Sequence, residues 1–330
     1  MKLRACWLAL TVGLILASGA LVGRAVEAQP RRPIRIGALT ESWGPTPGIV
    51  GLRDGLKNLG YREEVDFVIG VRFTQGNPGE LPAAARDLVK LGVDLIVTDE
   101  TGGATRAAQA ATDRIPIVFV GGSDPVGLGV VKSLARPGGN ITGIADLDAE
   151  LAPKRLEIFR ELIPGLRRVL YPYDATNTYV VTQLPKYRES ARLLGLTLVE
   201  KPIRNEDEAR AVVAGVRKDE IDGIISPRTL SLNIPGFILE AAQKSVTPTM
   251  FQHSFYVERG GLASYAGDAQ EFGRHAARLV DKIIKGARPG DLPVEQVTKF
   301  ELAINIKAAK ALGLTIPQSL LLRADRVIDR

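Results

Sequence analysis

Short apolar runs alternate with amphipathic stretches almost without interruption from Ile34 onward. "IRIGALT" (Ile34–Thr40) has the length and content of a buried strand, and "GIVGLRDGLKNLG" after it puts Ile49, Leu52, Leu56 and Leu59 on one helical face. "VDFVIGVRF" is a second strand. "LPAAARDLVKLG" is a helix that tolerates Pro82 in its first turn. "VDLIVT", "TGGATRAAQAATD" and "IPIVFV" continue as strand, helix and strand. Strands of this length separated by amphipathic helices predict βαβ units and parallel sheets.

The order then repeats. Val93–Pro125 and Ile221–Phe255 each begin with an aliphatic residue, Asp and an apolar run. Each then passes a Thr-bearing loop, a helix containing Ala-Ala, a Pro, another apolar run and a polar loop. Self-similarity on this scale predicts two similar doubly wound α/β lobes rather than one large sheet. The divide falls near "ADLDAELAPKRLEIFRELIPGLRRVLY", with a helix over Leu151–Ile163 and a new strand opening at Val169. Later, "EFGRHAARLVDKIIKGA" aligns Phe272, Ala276, Leu279, Val280, Ile283 and Ile284 on one face. A chain that completes two lobes and still continues must cross between them again, which predicts a hinge of several crossovers. The expected lobes are residues 31–145 with about 268–296, and residues 146–267 with about 297–330.

The N-terminal segment changes the compartment. Lys2 and Arg4 precede an apolar run from Trp7 to Leu16, and Val26-Glu27-Ala28 is an acceptable cleavage site. Residues 1–28 therefore read as a secretory signal peptide, with a retained anchor as the alternative. Export to the periplasm is expected, with the mature chain starting near Gln29. Cys6, the single cysteine, lies inside this segment, so the mature chain holds no disulfide, thiolate site or cysteine nucleophile. Removing residues 1–28 takes Lys2, Arg4, Arg24 and Glu27, which lowers the net charge from +6 to +4. That mild charge, with 5% aromatic residues and no long basic run, gives nucleic-acid binding little support.

Catalytic signatures are missing. There is no Gly-Lys pair for a phosphate loop, and Lys132 stands where a dinucleotide fingerprint would need its third glycine. There is no Gly-x-Ser-x-Gly elbow, and the two histidines, His253 and His275, form no metal motif. In parallel sheets ligands bind beyond the carboxyl ends of the strands. In the first lobe those ends carry "TESWGP", "TDETGG" and "GGSDP"; in the second they carry "YDATN", "SPRT" and "QHSF". Two lobes facing each other with such loops predict a cleft that captures a small molecule. In "GGSDP", Ser123 and Asp124 either cap the next turn or reach the ligand.

Four stretches carry a family resemblance: "IPIVFVGGSDPVGLGVVKSLARPGGNITGI", "LAPKRLEIFRELIPGLRRV", "YVERGGLASYAGD" and "LPVEQVTKFELAINIKAAKALGLTIPQSLLLRADRVI". From about Ile34 to Ile328 the chain resembles the ABC transporter substrate-binding family that includes tryptophan-binding members. The resemblance implies a type I periplasmic binding protein fold, capture between lobes, delivery to a membrane permease, a monomer, and neither catalysis nor cofactor nor metal. An amino acid is the default ligand, with a small carboxylate as the alternative that Arg228 keeps open. Gly102 with Thr101 at a helix start would suit its carboxylate. Glu100 and Asp174 would suit its ammonium, and Trp43 and Tyr173 would stack on its side chain. Ser42, Ser123, Asp124, Asn177, Thr229, His253 and Asp268 complete the candidate set from the same loops. Arg228 departs from the pattern, since amino-acid-binding relatives carry an acid in the loop where this chain has "SPRT". It would take a ligand carboxylate or pair with Glu100 on closure. The competing readings are an exported α/β enzyme acting on a small carboxylate or sugar, and a periplasmic sensory module.

Overall fold

The computed structural model describes residues 32–99, 102–217, 219–245 and 247–329. The proposed signal peptide, Glu100 and Thr101 lie outside them. The strands are β1 (Ile34–Thr40), β2 (Phe67–Phe73), β3 (Leu95–Asp99), β4 (Ile117–Val120), β5 (Ile141–Ala145), β6 (Arg168–Asp174), β7 (Thr197–Ile203), β8 (Gly223–Ile225), β9 (Thr249–Phe251), β10 (Ala263–Gly267), β11 (Glu295–Gln296), β12 (Phe300–Asn305) and β13 (Arg326–Ile328). The helices are α1 (Pro47–Asn58), α2 (Leu81–Lys90), α3 (Gly103–Ala111), α4 (Ala152–Leu162), α5 (Thr178–Leu193), α6 (Glu206–Ala214), α7 (Ile234–Ser245), α8 (Ser254–Glu258), α9 (Ala269–Ile284), α10 (Ile306–Ala311) and α11 (Gln318–Arg323).

Among the described residues the strands form two sheets, ordered β11-β5-β4-β3-β1-β2 and β13-β12-β10-β9-β8-β6-β7. All pairings are parallel except β10 with β12. Each sheet is covered on both faces, which is why central strands such as β4 and β5 are buried along their whole length rather than alternating. In the first lobe, Ile49, Leu52 and Leu56 of α1 and Phe272, Ala276 and Val280 of α9 pack on one face. Leu81, Ala85 and Leu88 of α2 and Ala104 and Ala108 of α3 pack on the other. In the second lobe, α4 and α5 bury Leu156, Phe159, Leu184 and Tyr187 on one face, and α6 and α7 bury Ala209, Val213, Ile234 and Ile238 on the other. Leu59 departs from its expected face. The helix ends at Asn58, Gly60 turns the chain with φ of +93°, and Leu59 is left 45% exposed at the cap.

The chain passes between the sheets three times among the described residues: after β5 at Asp146–Leu151, after β10 at Asp268, and between β11 and β12. The second passage brings α9 against α1 with their backbones nearly touching. An ideal Cβ on Gly51 would lie 1.9 Å from the Gln270 carbonyl oxygen, and one on Gly273 would lie 2.0 Å from the Gly48 carbonyl oxygen. The first passage is held by charge. Arg155 of α4 is fully buried; it donates through Nε to the Tyr265 carbonyl at 2.7 Å, through Nη1 to the Tyr187 hydroxyl at 3.1 Å, and through Nη2 to Asp148 Oδ1. No helix among the described residues is long and apolar enough to cross a membrane.

Candidate ligand-binding cleft

A cleft of about 590 Å³ opens between the carboxyl ends of the two sheets. The first lobe contributes the segment from Thr40 to Gly48 after β1, Asp99 at the end of β3, the glycines that start α3, and Val120 at the end of β4. The second contributes Arg228 and Leu230 after β8, His253 after β9, Phe255 and Tyr256 of α8, and the inner face of α7. Phe272 of α9 forms part of the floor. The walls are mostly apolar and aromatic, with a few converging charged groups, as expected of a small-molecule site.

Of the residues expected at the site, Ser42, Trp43, Gly102, Arg228 and His253 line this cleft. Trp43 stands at the mouth, 44% exposed, with its ring over Gly76. Asp174 and Asn177 line a second, smaller cavity of about 150 Å³, which shares Glu41, Gly102 and Gly103 with the first. Thr229 lines neither cavity: its hydroxyl bonds Ser231 at 2.7 Å and accepts from Asn177 Nδ2 at 3.3 Å.

Four expected residues do other work in the structure. The Ser123 hydroxyl donates to Asp146 Oδ1 at 2.7 Å and accepts from the Ala149 N–H at 3.2 Å, so it secures the first crossover. Asp124 is exposed, with φ of +50°, and its side chain accepts from the Gly127 N–H at 2.8 Å. Tyr173 stacks on Tyr171 with 6.1 Å between ring centres. Asp268 caps α9, accepting from Gln270 N–H at 2.8 Å and Glu271 N–H at 3.3 Å.

Arg228 is buried, and it lies on the cleft wall with its guanidinium donating to Asp146 Oδ2 and 3.7 Å from Asp148 Oδ1. Burial pushes the Asp146 carboxyl up, but Arg228, the Ser123 hydroxyl and the N–H groups of Gly122 and Asp148 outweigh it and hold it below the usual range. The cleft is thereby tied to the crossover, a link the sequence reading did not contain.

Two carboxylates were missed although their loops were identified. Glu41 follows β1 and Asp99 ends β3, each the first acid after an apolar run, and that placement was the available signal. Burial lifts the Asp99 carboxyl to about 6, against hydrogen bonds from Thr46 and Thr40 and the charge of Arg228. Burial also raises Glu41, assisted by the nearby Asp174 charge and opposed by hydrogen bonds from Ser231 and Thr229. Ser231 belongs to the second lobe, and its hydroxyl donates to Glu41 Oε2 across the opening. Beside it the Leu232 N–H donates to the Gly76 carbonyl at 2.9 Å, and the Gly76 N–H donates to the Glu41 carbonyl at 2.6 Å.

Acid should act on the cleft in two opposed ways. Burial and the Arg228 charge hold His253 down at about 4, so between its ordinary 6.5 and 4 the unfolded chain binds a proton that the folded chain refuses. Folded stability falls there on acidification. Asp99 is the reverse: below about 6 the folded chain holds a proton that the unfolded chain releases down to 3.8, so acidification favours the fold. His253→Gln should therefore gain stability relative to the native protein between about pH 7 and about pH 4.5, and Asp99→Asn should lose it. Urea midpoints at the two pH values measure this, and parallel profiles for all three proteins would refute it.

The same architecture recurs in solved structures. A conserved domain protein from Vibrio cholerae is 30% identical, with a TM-score of 0.80 over 89% of this chain and 99% of its own. The ABC domain in complex with L-Trp from Streptococcus pneumoniae is 29% identical, with a TM-score of 0.80 over 90% of this chain and 100% of its own. Among curated proteins, the tyrosine-binding protein of Clostridioides difficile is 26% identical over 289 residues, covering 87% of this chain and 83% of that protein. The family model for ABC transporter substrate binding proteins matches residues 45–328, from the cleft segment before α1 to the last strand. A two-sheet fold with its cleft at the strand ends, matched along nearly its whole described length, belongs to the ABC transporter substrate-binding protein family.

Proposed function

We propose that this chain is the periplasmic solute-binding component of an ABC uptake transporter, and that it captures an amino acid and hands it unchanged to a membrane permease. The observation that carries this is the cleft itself. It combines aromatic walls from Trp43, Phe255, Tyr256 and Phe272 with the half-buried carboxylates Glu41 and Asp99, an arrangement suited to an ammonium group on an apolar body. The relatives support the same class, one being a tyrosine-binding protein and another a complex with L-Trp. The moving bodies are taken to be residues 31–145 with about 268–296, and residues 146–267 with about 297–330, working as a monomer.

Arg228 belongs to the closing machinery in this reading, because Asp146 already receives its guanidinium. Arg228→Ala is then expected to weaken a carboxylate ligand and its amide alike.

The experiment is a thermal-shift screen of the purified protein against the amino acids, followed by mass spectrometry of the bound compound. A true ligand at about 100 times its dissociation constant should add about 2.7 kcal/mol of stability. It should be recovered chemically intact after hours of incubation. Conversion of the bound compound, abolished by cleft substitutions, would replace transport with catalysis.

A further inference from the structure

We propose that the protein carries a latch made wholly of its own groups, in which the Ser231–Asn233 turn of the second lobe clasps the paired loops after β1 and β2 and holds the lobes together whether or not a ligand is bound. The proposal goes beyond the amino-acid reading and is the same for every ligand.

The first-lobe half is a pair of zipped loops. The Thr74 N–H donates to the Thr40 carbonyl at 3.2 Å, the Gln75 N–H to the Ser42 carbonyl at 3.1 Å, and the Gly76 N–H to the Glu41 carbonyl at 2.6 Å. These bonds carry the contact between the two chains past Thr40 and Phe73, where the β1–β2 pairing ends, and they fix the backbone of Glu41. Gly76 turns at φ of +77°, and the space beside it is taken. An ideal Cβ there would lie 2.3 Å from Trp43 Cη2 and 3.3 Å from the Asn233 backbone nitrogen. A side chain at this position would hold the second lobe off, so a glycine lets the two backbones meet.

The second-lobe half is shaped by its own lobe. Ser231 is fully buried; its N–H donates to Thr229 Oγ1 at 3.0 Å, and its hydroxyl oxygen accepts from Asn177 Nδ2 at 3.2 Å. Asn177 is itself held as the cap of α5, accepting from the Tyr179 N–H at 3.0 Å. A turn ordered in this way loses little freedom when it meets its partner.

Two bonds join the halves. The Ser231 hydroxyl donates to Glu41 Oε2, and the Leu232 N–H donates to the Gly76 carbonyl at 2.9 Å. The first has a carboxylate acceptor, which puts it in the stronger class of hydrogen bond. Ser231 and Gly76 are both buried, so water competes poorly for these groups. Ser231, Leu232 and Gly76 line neither cavity. The latch is therefore set beside the path of a ligand, and only Glu41 is shared with the cleft.

Hydrogen exchange at the Leu232 amide, with small-angle scattering, tests this on protein unfolded in urea and refolded to strip any bound compound. The native protein should protect that amide and scatter as this structure does. Ser231→Ala should lower the closed-to-open ratio by about ten- to a hundredfold, the range for a hydrogen bond to a charged group. That change reads as an equal acceleration of Leu232 exchange with a larger radius of gyration. The β4 amides should keep their native protection, which separates opening from unfolding. Glu41→Gln acts from the other lobe and should accelerate the same amide, and the double variant should exchange no faster than the faster single one. Exchange of the native Leu232 amide at the rate of an unstructured chain overturns the latch, and so does unchanged exchange in either variant or additive acceleration in the double. If Ser231→Ala loses its β4 protection, Glu41→Gln alone decides by the same readings. No ligand enters the experiment, so its failure leaves the amino-acid reading to the thermal-shift screen.

Discussion

Gly51→Val is expected to yield little or no folded protein. The reason is the contact between α1 and α9, where a Cβ at residue 51 would meet the Gln270 carbonyl oxygen at 1.9 Å. A clash with the end of a flexible side chain can be relieved by a rotamer change; a clash with helix backbone can be relieved only by moving a helix. Overpacking of ordinary cores costs about 1–3 kcal/mol. Here the three carbons of an isopropyl group are added at a backbone-to-backbone contact, so the cost should reach at least the top of that range, against a total stability of about 5–15 kcal/mol. Displacing α9 would also expose Phe272, Leu279 and Val280, which complete the core of the first lobe. Soluble yield and the urea midpoint measure the effect, with Gly51→Ala expected between native and valine. A Gly51→Val protein with a native midpoint would show that the helices are not held at this spacing.

Arg155→Met should be the next most damaging single change, costing about 3–5 kcal/mol, the range for removing one member of a buried ion pair. Asp148 is 1% exposed, and its Oδ2 already lacks a hydrogen-bond partner among the described residues. Without Arg155 the carboxylate would keep only the more distant Arg228, with Nη1 at 3.7 Å. The Tyr265 carbonyl and the Tyr187 hydroxyl would each lose a donor as well. Arg155→Lys should not restore stability, because an ammonium cannot reproduce a fork that reaches three groups at once. Arg155→Met combined with Asp148→Asn should be less destabilised than the two single losses added together, since the double variant leaves no stranded charge. Urea unfolding of the four proteins gives the coupling directly, and simple additivity would mean that the pair contributes no more than its packing.

Much of the architecture was legible because it rests on local pattern. The apolar run Ile34–Thr40 coincides with β1, and the face marked by Phe272, Ala276, Leu279 and Val280 is the buried face of α9. The cleft was legible only as a set of loops. Its decisive contacts join positions far apart in the chain, such as Glu41 with Ser231 and Arg228 with Asp146, and no periodicity carries a pairing of that kind. Ser123 and Asp124 show the converse. A Gly-Ser-Asp-Pro loop at a strand end has the composition of a binding loop and of a capped turn alike, and here the side chains satisfy nearby backbone and the crossover. Glu41 and Asp99 went unnamed because an acid after a strand is common, and only burial distinguishes these two.

The turn at Ser231–Asn233 has a kinetic consequence. Leu232 and Asn233 both sit in the left-handed region, at φ of 54° and 51°, and the Leu232 N–H is anchored to Gly76 of the other lobe. A bulky residue held in that region costs about 1–3 kcal/mol. The cross-lobe bond that helps hold Leu232 there would be lost if the lobes parted, and the turn would then be free to relax. Relief of strain of that size on opening would shorten the residence time of a captured molecule by up to roughly a hundredfold, since each 1.4 kcal/mol is a factor of ten. In a substrate-binding protein, tight grip and quick release would then be set against each other at a single leucine.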